Sequence, residues 1–431
     1  MKLLQLLLGC AALARVAYGQ KVFAHFMAQN SFSYSQQDWA NDINTAMSTG
    51  IDGFALNMAN LEMTYEPGKV DLAYAAAEPL NGKFQFFYSF DMADLAHPWD
   101  ANVIVNQIVA HANSVATYRW KGKVLVSTFD GHQNNNDFWA GIKASTASKG
   151  VEIVLAPAFI NFRPLDMVGS LMSTYPAIDG FFNWWSWPDD KPENLTTDLD
   201  IALQNAVKTA NRGGPYIMGV SPWQFKDIDP NNNWVEFSDT LWNYRWEQAI
   251  QLKPDIVEII TWNDYGESHY IGDINPNVDL GQQAPNYVNG FVHAPWRIVA
   301  NYYIQWYKTG SPPAIQKDQV VFWYRSHPKA VGCSGGFPVR NGNFPADAVI
   351  AWALLRDSAT VSLDIGSRHA QWDAGPGVSM GSVPFPPEDS QIPFIQVIKN
   401  GQTASSGFGS VFVTNSCNWY NFNPFVGSIS T

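Results

Sequence analysis

Two carboxylates three residues apart, Asp264 and Glu267, lie in the run from Ile259 to Tyr270 and are the pair in this chain best suited to acid/base work. Cleavage of a glycosidic bond needs such a pair: one carboxyl protonates the leaving oxygen, while the other activates water or attacks the anomeric carbon. Gly266 between them lets the backbone bend so that both side chains can face one cavity. By spacing alone the pair also reads as a helix-capping arrangement. Its meaning therefore rests on the element that delivers it.

That element is one of a series. Short apolar runs rich in β-branched and aromatic residues occur at Val22–Phe26, Gly53–Leu56, Phe84–Ser89, Lys123–Ser127, Glu152–Ala156, Gly180–Phe182, Tyr216–Val220 and Ile256–Thr261. Between them lie segments with helical patterning, such as Ser35–Ser48, Val103–Thr117, Asp198–Ala210 and Phe237–Leu252. Strands alternating with helices imply a parallel sheet, and eight such units predict a (β/α)8 TIM barrel, here over residues 20–308. Residues 309–313, Thr-Gly-Ser-Pro-Pro, read as a linker. Beyond it, strand-like runs at Val320–Tyr324, Ala348–Leu355, Thr360–Ile365, Pro393–Lys399 and Ser410–Thr414, with a hairpin signal at Asn400-Gly401, predict a small C-terminal β-sandwich over 314–431.

In a barrel of this type catalytic groups come from the C-terminal ends of the strands. Those ends read His25, Asn57, Asp91, Asp130, Asn161, Asn183-Trp184-Trp185, Ser221-Pro222-Trp223 and Trp262-Asn263-Asp264-Tyr265-Gly266-Glu267. Together they describe a polar cleft with aromatic walls, and the Asp264–Glu267 pair follows the last strand. A metal cluster of His25, Asp91 and Asp130 is the competing use. The eight histidines show no His-x-His or His-x-x-x-His spacing and only His25 falls at a strand end, so no metal is expected. No Gly-x-Gly-x-x-Gly follows a strand, and the two Gly-x-Ser-x-Gly matches, at 332–336 and 377–381, lie beyond the alternating strands and helices, which removes the usual entry points to nucleotide and serine-esterase chemistry.

Composition narrows the partner. Residues 1–19 read as a secretory signal: Lys2, an apolar stretch from Leu3 to Ala14, and the small residues Ala17 and Gly19. No later stretch is apolar enough to span a bilayer. Removing Lys2 and Arg15 takes the formal charge from −12 to −14 (−12 − 2), which argues against nucleic acid or an anionic membrane. With 15% charged residues, 18 Trp and 17 Tyr, the chain is rich in the flat aromatic faces that suit sugar rings. Cys10 leaves with the signal, so Cys333 and Cys417 remain as one expected disulfide. Asn194-Leu-Thr196 is a glycan acceptor sequence.

These residues carry a family resemblance. His25-Phe-Met27, Gly53-Phe-Ala-Leu-Asn57, Phe87-Tyr-Ser-Phe-Asp-Met92, Ser127-Thr-Phe-Asp-Gly131, Tyr216-Ile-Met-Gly-Val-Ser-Pro-Trp223, Leu241-Trp-Asn-Tyr-Arg-Trp246 and the Trp262–Glu267 segment occur in order over the whole barrel. The pattern resembles the fungal α-1,3-glucanases, or mutanases, of glycoside hydrolase family 71. The resemblance implies a secreted, cofactor-free, monomeric enzyme acting on α-1,3-glucan, with Asp264 and Glu267 catalytic and the anomeric configuration inverted. Glu267 is expected as the general acid and Asp264 as the base toward water. His25, Asn57, Asp91, Asp130, Asn263 and His269 are expected to hold hydroxyls or orient the pair, and Trp184, Trp223, Trp262 and Tyr265 to stack on rings. Two alternatives stay open at this point: a barrel glycosidase of another linkage, and a wall-binding protein that has lost activity.

Overall fold

The computed structural model describes residues 19–431, so the expected leader, apart from Gly19, and Cys10 lie outside the described residues. Eight parallel strands form one curled sheet: β1 (Lys21–Met27), β2 (Gly53–Ala59), β3 (Gln85–Asp91), β4 (Lys123–Phe129), β5 (Ile153–Leu155), β6 (Phe181–Asn183), β7 (Tyr216–Val220) and β8 (Ile256–Ile259). Their spatial order is β5-β4-β3-β2-β1-β8-β7-β6, with a two-residue antiparallel strand, Arg119–Trp120, beside β4. At the two ends of this order, Gly180 N donates to Leu155 O and Phe182 N to Pro157 O, each at 2.9 Å. All eight strands lie on or within three residues of the runs read from sequence.

The strands have two faces, as period-2 side-chain alternation requires. Val22, Ala24 and Phe26 of β1 join the large core formed with the helices α1 (Gln36–Thr49), α2 (Glu66–Ala77), α3 (Ala101–His111), α4 (Asn136–Ser148), α5 (Asp198–Ala210), α6 (Leu241–Leu252) and α7 (Trp296–Thr309). Phe23, Ala55, Phe87, Leu125, Ile217 and Ile256 form a separate apolar cluster on the inner face. Two residues further along the same face the chain turns polar, at His25, Asn57, Ser89, Ser127 and Glu258, all buried. Five of the strands thus carry an apolar plug followed by a polar layer at the C-terminal end. That layer is the floor of the site.

The helices start where local chemistry dictates. Ser35 and Asp38 form a capping box on α1, satisfying two orphan amides reciprocally. The helix expected over Val103–Thr117 is instead α3, which ends at His111, and the one expected from Phe237 begins at Leu241 after a turn. Helices α5 and α6 are locked to the sheet by a buried ion pair. Arg245 reaches both carboxylate oxygens of Asp200 at 2.7 and 3.0 Å, and its Nε donates to Gly219 O. Asp200 also accepts from Asn183 Nδ2 and Tyr216 Oη, each at 2.8 Å.

The C-terminal region is built of β9 (Gln319–Tyr324), β10 (Ala348–Leu355), β11 (Ala359–Ile365), β12 (Arg368–Ala374), β13 (Gly377–Pro384), β14 (Phe394–Lys399), β15 (Gln402–Phe408) and β16 (Phe425–Ser430). They make two four-stranded antiparallel sheets, β13-β10-β9-β16 and β12-β11-β14-β15, with Val320, Phe322, Ala351, Val361, Leu363 and Ile395 in one shared apolar cluster. The opposite face of the first sheet packs on the helices of the parallel-sheet region: Trp323 and Trp352 join the core containing Trp296, Tyr302 and Tyr303. Asn400 and Gly401, both at positive φ, turn β14 into β15 as their sequence signals. The strand expected at Ser410–Thr414 is reduced to a single bridge between Gln391 and Val413. The exposed strands β12 and β15 are too polar for the apolar pattern to flag, and ladder pairing with β11 and β14 forms them. Cys333 and Cys417 are disulfide-bonded. Among the described residues no helix is long and apolar enough to cross a membrane.

Removing one partner of a buried ion pair strands the other charge, at a cost of about 3–5 kcal/mol. Asp200→Ala is therefore expected to lower the unfolding free energy by about that amount. A urea titration checks it, with the midpoint falling and the slope unchanged.

Candidate active site

The segment after β8 folds back on itself. Thr261 N donates to His269 O at 2.9 Å and Ile271 N to Thr261 O at 3.1 Å, so the residues between them bulge as one loop. Within it Tyr265–Glu267 forms a single 3-10 turn, with Ser268 in the left-handed conformation at its end. The loop is pinned to β1. Asn263 Oδ1 accepts from Met27 N at 2.7 Å, its Nδ2 donates to Met27 O, and Trp262 N donates to His25 O at 2.7 Å. Asn263 is thereby a fully buried clamp.

The turn brings Asp264, Glu267 and His269 together, with one polar atom of each within 4.8 Å of the others. His269 is wholly buried, and its Nε2 lies 3.3 Å from Glu267 Oε2 and 3.9 Å from Asp264 Oδ2. Its other ring nitrogen faces Thr261 Oγ1 at 3.2 Å, which holds the ring in place. Asp264 N donates to the same Thr261 hydroxyl at 2.9 Å.

Two groups that the sequence patterns did not single out complete the arrangement. After β7 the chain makes a hairpin, Phe225–Asp229 paired with Asn232–Val235. Lys226 Nζ sits 2.7 Å from Glu267 Oε1, and Gln224 Nε2 donates to Glu267 Oε2 at 3.0 Å. The available signal was the alternation Gln224-Phe225-Lys226, which puts both polar side chains on one face of a strand with Phe225 on the other.

These contacts set the two carboxyls apart electrostatically. Burial pushes Asp264 up to about 6, with the charge of Glu267 adding and that of His269 opposing. Burial acts on Glu267 as well, but the hydrogen bond from His269 and the charge of Lys226 overcome it and hold Glu267 well below the usual carboxylate range. The direction of these shifts favours the proton on Asp264 and the charge on Glu267, whereas the sequence reading expects Glu267 as the acid. The 3-10 turn directs both side chains toward His269.

The other expected residues divide into two groups. His25 is buried beside the pair, its Nδ1 2.7 Å from Glu258 Oε1 and its Nε2 without a protein partner. Glu258, a lone charge in an apolar strand, was also missed by sequence; it fixes the His25 ring. Asn57 is buried at the end of β2. Asp91 ends β3 and accepts from Ala93 N; burial raises its pKa, the charge of Asp130 adds to the rise and His25 opposes it. Asp130, in the left-handed conformation, binds the His132 ring. Trp184 is half-buried, with ring centres 4.8 Å from His25 and from Phe129. Trp187, not anticipated, stacks on His269 with centres 5.5 Å apart.

Three expected ring platforms are not at the surface. Trp223 is 2% exposed and donates to Phe422 O, Trp262 is fully buried against Phe54, and Tyr265 is 1% exposed with its hydroxyl on Asp273 O. They support the loops and offer no face to a ligand. Asn194 is exposed on the loop between β6 and α5.

Asp264, Glu267 and His269 have ligand types that suit a cation, but the Lys226 ammonium already supplies the positive charge Glu267 would share with one. The second group of ligand types, His327 with Cys333 and Cys417, has its sulfurs tied up in the disulfide.

The model of Glycosyl hydrolase family 71 matches residues 19–431. A glucan endo-1,3-alpha-glucosidase of Schizosaccharomyces pombe is 34% identical over 94% of this chain and 94% of its own length. A mutanase of Penicillium rubens is 33% identical over 94% of this chain and 88% of its own. Among solved structures, a GH99 endo-alpha-mannosidase of Bacteroides thetaiotaomicron superposes with a TM-score of 0.51 at 12% identity, covering 67% of this chain and 97% of that one, a likeness of fold alone.

Proposed function

The chain belongs to glycosyl hydrolase family 71, and from that premise we propose that it hydrolyses the α-1,3-glucosidic bonds of α-1,3-glucan at Asp264 and Glu267. The observation that carries the proposal is the convergence of two carboxyls with opposite electrostatic tuning at the end of β8. Asp264 gives its proton to the glycosidic oxygen as the bond to the anomeric carbon breaks. Glu267, ionised and held by Lys226, Gln224 and His269, takes a proton from the water that attacks that carbon. His25, Asn57, Asp91 and Asp130 hold hydroxyls, and Trp184 stacks on a ring. The proposal includes a leader at 1–19, secretion, a glycan at Asn194 and action as a monomer. It also takes the curled sheet as a closed (β/α)8 barrel over 20–308, an idea supported by the bonds between the β5 and β6 ends, and 314–431 as an accessory β-sandwich.

Inversion follows from that route, as the resemblance implies. Retention, with Glu267 attacking the anomeric carbon directly, is the second reading. It is favoured by the 4.8 Å limit on the nearest atoms, since retaining pairs sit about 5–5.5 Å apart and inverting pairs about 6.5–9.5 Å. A nearest-atom distance is a lower bound on the separation of two carboxyl groups, so the product anomer decides between the two routes.

Asp264→Asn and Glu267→Gln should each keep the fold and lower kcat on α-1,3-glucan by at least ~100-fold, as loss of a general acid or base does. Reducing-sugar release measures this, with β-1,3-glucan and starch as controls, and near-normal turnover in either variant removes that residue from the reaction. In the pH profile, activity should fall as pH drops through the depressed Glu267 value and as it rises past about 6, where Asp264 loses its proton. Lys226 lowers both groups, so Lys226→Met should move both limbs to higher pH. Limbs that stay in place would separate Lys226 from the pair. Proton NMR of the first product, read before mutarotation, should show the β-anomer. The α-anomer would establish direct attack by Glu267.

A further inference from the structure

The hairpin after β7 has a second pair of polar residues on the face that meets Glu267. Its strands pair Phe225 with Val235 and Lys226 with Trp234, and Glu236 N donates to Gln224 O at 3.0 Å. Residues opposite each other, and residues two apart, share a face in an antiparallel pair. Gln224, Lys226, Trp234 and Glu236 therefore line one side, and Phe225 and Val235, fully buried, line the other. Since Gln224 and Lys226 both bond Glu267, that polar side faces the catalytic pair.

Two acceptors on this face have no partner. Gln224 is 3% exposed and Glu236 8% exposed, yet Gln224 Oε1 and Glu236 Oε2 are buried without a hydrogen bond. The Gln224 amide has no freedom to turn round, because its nitrogen must face the Glu267 carboxylate. A buried acceptor left without a donor costs about 1–3 kcal/mol, so adjacent orphans on one face are expected to meet a donor that arrives from outside.

The surroundings say which kind. The charges of Arg163 and Arg340 act on Glu236 against that of Asp190. Arg340 and Asp190 pair at 2.7 Å and are both about half exposed, so this rim opens to solvent. With cationic side chains already present, a second cation adds little. A neutral molecule carrying several hydroxyl donors fits two acceptors on cross-strand neighbours beside a half-buried indole.

We propose that Glu236 and Gln224 form a glucosyl-binding subsite on the hairpin side of the catalytic pair, accepting hydrogen bonds from the hydroxyls of one ring of the glucan, with Trp234 as its wall. This rests on the Proposed function, and it makes Glu236 a substrate-binding residue that sequence patterns did not reveal. The subsite spans both parts of the chain, because Arg340 from the C-terminal region lies over Trp234, 5.0 Å from the ring centre.

The test uses the full-length enzyme and defined α-1,3-linked gluco-oligosaccharides. Glu236→Ala should raise KM about tenfold or more, the size of a lost hydrogen bond to a charged group, while kcat stays within about threefold, as loss of uniform binding requires. Glu236→Gln, which keeps shape and one acceptor, should fall between. Shortening the substrate by the ring that fills the subsite should weaken the parent enzyme and leave Glu236→Ala unaffected. Calorimetric binding in an Asp264→Asn background, across α-1,3-, α-1,4- and β-1,3-linked oligosaccharides, reads the subsite independently of turnover. Affinity and KM within twofold of the parent in variants with the parent's thermal midpoint would overturn the subsite. A collapse of kcat with KM unchanged would overturn it too, by placing Glu236 among the reacting groups. Failure of the parent enzyme to cleave α-1,3-glucan would instead overturn the Proposed function, and the binding arm would still test the subsite.

Discussion

The contact between Lys226 and Glu267 is the constraint around which the site is arranged. It joins two loops that follow different strands, β7 and β8, and it places a full positive charge 2.7 Å from a partly buried carboxylate. Burial raises Asp264, whereas the His269 hydrogen bond and the Lys226 charge together overcome burial at Glu267 and hold it down. Two carboxyls within a few ångströms cannot both ionise cheaply. The lysine and the histidine together favour charge on Glu267.

Holding that contact requires both loops to be stiff. On one side Asn263 makes two hydrogen bonds to the Met27 main chain, and Thr261 serves both Asp264 N and the His269 ring. On the other side the hairpin is buried from behind: Phe225 packs on Tyr287 and Phe422, and Asp227 accepts from Phe337 N. Phe337 and Phe422 lie near Cys333 and Cys417 respectively, so the disulfide ties together the two strands of chain that back the hairpin. The C-terminal region is thus part of the scaffold of the site, which explains why its first sheet shares a core with α6 and α7.

The polar layer beneath has a similar logic. Inner-face residues change from Phe23 to His25, from Ala55 to Asn57 and from Ile256 to Glu258 within one strand repeat. The apolar half closes the floor to water. The polar half would be costly to bury unless partnered, and the His25–Glu258 pair at 2.7 Å meets part of that need. His25 Nε2 is buried without a hydrogen-bond partner.

Much of this was legible from residue order. Eight apolar runs at regular intervals located the parallel strands, because burial on both faces leaves a continuous hydrophobic signature. The polar ends of those runs located the cleft, and Asp264 and Glu267 within it. The strands β12 and β15, and the aromatic roles, were not legible. An exposed strand owes its existence to its neighbour's backbone, which one-dimensional periodicity does not record. A tryptophan reads the same whether it walls a cleft or fills a core, and Trp223, Trp262 and Tyr265 fill one while Trp184 and Trp187 border the pair. The assignment of acid and base was beyond sequence for a related reason. Spacing puts two carboxyls together, but their protonation depends on the charge that faces them, and Lys226 reaches Glu267 from 41 residues away through the fold. The residue types and their order determined what chemistry is available; only the tertiary contacts decided which of the two carboxyls is pushed up and which is held down.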